Sequence, residues 1–108
     1  MTVGDWIRGR TEQSPAALTR EILVVLGTDS EAPATRTAEV CLAAAKRSLA
    51  ALIGAGRFAR EDALELLAID ALATLAFEHA SESGGGELLG TLAMDSARAF
   101  GQLTGSRG

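Results

Sequence analysis

The chain has 108 residues, which suits a single domain with one core, since compact domains most often run to about 100–150 residues. Hydrophobic residues make up 47%, charged residues 22% and aromatics 4%, so alanine and leucine must build the interior, and both favour helix. A formal net charge of −4 argues against a nucleic-acid binder, whose affinity rests on cations neutralising phosphates, and the lone Cys41 excludes an internal disulfide.

Thr2 followed by Asp5 has the spacing of a reciprocal cap and predicts a short first helix over 3–10, with Trp6 and Ile7 on its apolar side and Trp6 as the anchor. Ser14 before Pro15 is a second start signal, because serine accepts a bond from a free helical N–H and proline suits the first helical position. A helix over 15–26 then places Leu18, Ile22, Val25 and Leu26 on one face, and Leu23 and Val24 widen that face beyond what its own packing requires. Gly27 supplies the stop.

The polar link TDSEAPA, residues 28–34, precedes a third helix over 34–53, where Val40, Cys41, Ala44, Ala45, Leu49, Leu52 and Ile53 form the apolar side. Gly54 and Gly56 break it. A fourth helix over 60–81 opens with Glu61 and Asp62, favourable at the positive end of the helix dipole, and Phe58 is expected to pack back on it as a staple. Residues 84–86 are glycines. A last helix over 87–103 carries Leu89, Leu92, Ala93, Phe100 and Leu103 on one stripe, and residues 104–108 form a tail that frays. No stretch alternates with period two, so no sheet is expected.

Short glycine turns predict antiparallel neighbours and an all-α fold: a small bundle of three long helices with the two shorter N-terminal helices packed across it. The fourth helix should be its centre, about 33 Å long at 1.5 Å per residue. Its run LLAIDALATLAF, residues 66–77, is apolar on every face except at Asp70 and Thr74, and a helix of that kind is normally enclosed by others. Because one chain supplies few neighbours for full enclosure, a homodimer is expected to complete the burial.

Asp70 is the first candidate site. Burying an unpaired carboxylate costs several kcal/mol, so it should reach solvent or find a partner. Arg47 or Lys46 of the preceding helix, Thr74 one turn away, or a second subunit are the expected answers, with a structural ion pair or interface contact ahead of a ligand-binding role. His79, the single histidine, has Glu78 beside it and Glu82 three residues on, but no second histidine or cysteine pair completes a metal set, so no metal or other cofactor is expected. No serine sits in a G-x-S-x-G setting, and no GK[ST] follows the glycine run. Cys41, within VCLAAA, reads as a small buried hydrophobe.

Residues 70–78, DALATLAFE, resemble the GDALLTLAFE helix of trans-polyprenyl diphosphate synthases, all-helical enzymes that use magnesium and isoprenoid diphosphates. Ile69 stands where that family has glycine, and the DDxxD motifs that hold magnesium there are missing from this chain. The resemblance therefore implies a close-packed helix of that type and nothing about chemistry.

The N-terminus lacks the apolar stretch of a secretory signal and no segment reaches the roughly 18–20 apolar residues that span a bilayer, so a cytoplasmic protein with no membrane partner is expected. A single lysine against nine arginines fits a GC-rich, bacterial coding sequence. The functional expectation is a small helical protein that acts by protein–protein interaction or self-association without catalysis. The alternative is an apolar small-molecule binder in which Asp70 orients the ligand.

Overall fold

The computed structural model describes residues 1–83. The glycine turn at 84–86, the expected helix over 87–103 and the tail at 104–108 lie outside the described residues. The fold is all-α, and among the described residues the only bridge of β type is an isolated one between Thr2 and Pro33.

Helix α1, Val3–Arg10, begins at the anticipated cap: the Asp5 N–H donates to the Thr2 hydroxyl at 3.1 Å, and the Thr2 N–H donates to the Asp5 carboxylate at 3.0 Å. Two orphan donors of the first turn are thereby satisfied. Ile7 is the buried anchor of α1, whereas Trp6 is only half-buried. Gly4 lies so close to the segment after α2 that a Cβ there would stand 3.2 Å from the Ser30 carbonyl oxygen, so a larger residue would require a shift of a few tenths of an ångström at that contact.

Helix α2 spans Ala16–Leu26. Ser14 does not cap it. Pro15 holds the extended cap position instead, and its carbonyl accepts from the Leu18 and Thr19 N–H groups. Gly27 ends the helix at φ 60, ψ −134, a positive-φ conformation that a Cβ disfavours, although not the left-handed helical one expected. The link that follows is ordered by two 3-10 turns, Gly27–Glu31 and Ala34–Arg36, so α3 proper runs Thr37–Ala55. Gly56 closes it at φ 66 in the left-handed region, while Gly54 remains helical.

Helix α4 spans Ala63–Glu82, after a 3-10 turn at Arg60–Asp62 in which the Ala59 N–H donates to the Asp62 carboxylate at 3.1 Å. That carboxylate does the work expected of a staple. Phe58 is 63% exposed and is not among the described residues packed against the core, so the expected staple is not formed there. Helices α3 and α4 form an antiparallel hairpin: Arg57 reaches Glu65 at its turn end, while His79 and Ser83 share a pocket with Thr35, Ala38 and Glu39 at the other.

Helix α4 is central, packed against both α3 and α2. Its buried residues, Ala68, Ile69, Leu72, Leu75, Ala76 and Ala80, recur at three- and four-residue steps and meet Cys41, Ala44, Ala45 and Leu52 of α3. Alanines on both sides let the helix axes approach closely. Enclosure is nevertheless incomplete. Leu67, Asp70, Thr74 and Glu78 form an exposed stripe along α4, so the run that is apolar in composition has a solvent face.

Candidate functional site

The exposed stripe of α4 borders a cleft of about 300 Å³ between α4 and α2. Leu18 and Ile22 of α2 supply one apolar side, and Ala71 and Leu75 of α4 the other. Asp70, Thr74 and Glu78 line the cleft at successive turns of α4, while Arg10, Thr11 and Ser14 close it from the segment that leaves α1.

Asp70 is exposed, and among the described residues its carboxylate makes no ion pair and no hydrogen bond. This corrects the expectation of a cation from α3. Arg47 turns the other way, its guanidinium lying 3.8 Å from Asp29 and 3.5 Å from the Val25 carbonyl oxygen, because the 3-10 turn after α2 brings Asp29 to that side of α3. Lys46 is half-buried and makes no ion pair among the described residues. Thr74 is beside Asp70 as expected, yet its hydroxyl donates to the Asp70 main-chain carbonyl at 3.1 Å, leaving the carboxylate alone.

Thr11 behaves in the same way, donating to the Ile7 carbonyl at 2.8 Å. Both hydroxyl protons are therefore committed to backbone, and the oxygens that remain can only accept. Arg10 donates to Glu82 and lies 4.6 Å over the Trp6 ring, whose neighbour His79 meets it edge-on at 5.2 Å between centroids. The bond to Glu82, with added attraction from Glu82 and Glu78, raises the Arg10 pKa, so this guanidinium is a fixed cation. The cluster ties the end of α1 to the end of α4. Its elements are 72 residues apart in sequence, so no local pattern discloses it, although the Trp6–Arg10 spacing of one turn was a usable hint.

His79 Nδ1 is buried and finds no hydrogen-bond partner among the described residues. Among the described residues no three His, Cys, Asp or Glu side chains converge as a metal set. Cys41 is fully buried, and burial pushes its thiol up to about 12, which suppresses the nucleophilic thiolate at neutral pH.

A second surface lies at the turn end of the α3–α4 hairpin. Leu64 and Leu67 are one turn apart on α4 and expose 37% and 57% of their surface, with Ile53 at 37% and Phe58 at 63% on the converging segment. On α2, Leu23 packs against the core and is accounted for by the fold itself, whereas Val24 stays 71% exposed. No described helix is long and apolar enough to cross a membrane. A scan against family models finds no match, and neither the curated proteins nor the solved structures yield a similar chain.

Proposed function

We propose that the protein acts by protein–protein interaction, with a second copy of itself as the partner, in the cytoplasm of a bacterial cell and without catalysis. The observation that carries this reading is the apolar surface at the hairpin end, Ile53, Phe58, Leu64 and Leu67. Single exposed leucines are ordinary, but four large apolar residues exposed around one helix–helix turn are more than scattered exposure and support an association surface there. Exposed Arg60 and Glu61, of opposite sign, lie between Phe58 and Leu64, a pairing that a two-fold contact matches with itself. Sedimentation velocity over a wide concentration range tests it. The wild-type chain is expected to pass from monomer to dimer, and Leu67→Glu to remain monomeric with unchanged helicity. A wild-type chain that stays monomeric at the highest concentration, or a Leu67→Glu dimer of equal strength, rejects the proposal.

The cleft supports a second reading, a small-molecule binder in which Asp70 orients a polar group of the ligand. Its favouring observation is a carboxylate without an ion pair among the described residues, beside apolar walls in a space of about 300 Å³, the lower end of the range for ligand sites. Native mass spectrometry of the protein as purified tests that reading through the presence or absence of a retained small molecule.

A further inference from the structure

We infer that the cleft between α2 and α4 takes an extended aliphatic diamine or polyamine; this rests on the reading of that cleft as a ligand site. Asp70 and Glu78 are the first and last of the α4 residues that line it. They are eight residues apart on one helix, which separates them by about 12 Å along the axis. Between them Leu18, Ile22, Ala71 and Leu75 supply apolar walls and Thr74 a hydroxyl oxygen at the midpoint, so two carboxylates are separated by a stretch that is mostly hydrocarbon. A chain with an ammonium group at each end has the same distribution of charge.

The hydrogen-bonding capacity points the same way. Thr74 and Thr11 have spent their protons on the carbonyls of Asp70 and Ile7, so along the cleft they offer oxygen lone pairs alone. Carboxylates are acceptors too. Arg10, the cation of the lining, is engaged by Glu82 and the Trp6 ring and is also attracted by Glu78, which offsets part of the negative charge at that end and leaves Asp70 as the stronger anionic contact. A ligand rich in acceptors, such as a phosphate or carboxylate, would find only the Ser14 hydroxyl and Arg10 as donors against two carboxylates and two hydroxyl oxygens, whereas an ammonium donates three hydrogens into the acceptors. The volume of about 300 Å³ holds a chain of about ten non-hydrogen atoms, at roughly 30 Å³ each, the share of one liquid water molecule.

Titration calorimetry with three ligands of one length tests this: α,ω-diamino-octane, octylamine and the neutral octane diol. The diamine is expected to bind most tightly, octylamine next and the diol least. Asp70→Asn and Glu78→Gln should each weaken the diamine about fivefold, the worth of one exposed charge contact, and bring it to the level of octylamine. Glu31→Gln, an exposed carboxylate on the 3-10 turn after α2, should leave affinity unchanged. Equal binding of diol and diamine would overturn the amine assignment while leaving an apolar ligand site standing. Failure of all three ligands to bind removes both. A diamine affinity indifferent to Asp70→Asn and Glu78→Gln, or weakened as much by Glu31→Gln, reduces the effect to general attraction by a negative chain and overturns the assignment.

Discussion

Leu72 and Leu67 lie on the same helix five residues apart, and their replacement by alanine separates folding from association. Leu72 is fully buried and has Ala68 and Ala76 one turn to either side on its own face. Alanines have no side chain that can swing into the space vacated, so Leu72→Ala should fall in the upper half of the range of about 2–5 kcal/mol seen for such truncations. Leu67 is 57% exposed, so only the smaller covered part of its transfer energy is at stake, roughly 1 kcal/mol or less. In urea, with a slope of about 1 kcal/mol per molar for a small protein, the midpoint should fall by about 3.5–5 M for Leu72→Ala and by less than about 1 M for Leu67→Ala, with unchanged slopes. Leu72→Met, nearly equal in volume, should cost under about 1.5 kcal/mol and guards against a variant too unstable to measure. Repeating the titration at rising protein concentration adds the second half of the test. The Leu67→Ala deficit should grow with concentration because the dimer, not the monomer, loses a contact, while the Leu72→Ala deficit stays constant. Equal losses for both variants in dilute solution would refute the placement of Leu72 inside and Leu67 outside.

Thr2→Ala should cost about 0.5–2 kcal/mol through loss of the α1 cap and loosen the helix enough to red-shift the fluorescence of Trp6, the only tryptophan; an unaltered spectrum and stability would refute it. The Asp5 carboxyl is held below its usual range chiefly by the Thr2 backbone N–H, then by the Thr2 hydroxyl and Arg8. Its contribution is thus present above the ordinary carboxylate pKa and lost as pH falls through the lowered one, and Asp5→Asn should flatten the acid limb of a stability profile. The Cys41 thiol has the opposite sign: its pKa rises from near 9 to about 12 on burial, so its contribution is full below pH 9 and lost as pH climbs towards 12. Cys41→Ala should shallow that alkaline limb, and a thiol dye should label the native chain only as fast as it unfolds; rapid labelling of folded protein would contradict the burial.

Local chemistry made much of this fold legible. Thr2 and Asp5 mark the start of α1 because a capping box is a contact between near neighbours, and its bounds match the expectation residue for residue. The starts of α3 and α4 shift by three residues because Ala34–Arg36 and Arg60–Asp62 wind as 3-10 turns, which carry the same composition as a helix start. Exposure of α4 was harder to foresee. Leu67 faces solvent although apolar, and in a run so rich in alanine and leucine the buried and open faces differ too little in composition to be told apart. At the candidate site, Asp70 and Thr74 were visible as neighbours on a helix, but the side from which Arg47 is drawn away depends on a turn around Asp29 that no helical period encodes. The acceptor character of the cleft depends on where two hydroxyl protons point, a matter of tertiary setting.

Helix α1 is joined to the rest by contacts that are distant along the chain. The Ala34 N–H donates to the Met1 carbonyl, the Val3 N–H to the Ala32 carbonyl, and Arg10 to Glu82 across 72 residues. Closing loops of that size costs entropy before any contact repays it, whereas the α3–α4 hairpin closes through a short turn. Assembly should therefore start from the hairpin and finish with α1, and local opening should release α1 first. Arg10, Thr11 and Ser14, one wall of the cleft, hang from the end of that last-docked helix. The cleft is consequently a property of the completed chain only, and whatever fills it acts as a latch on the N-terminal helix.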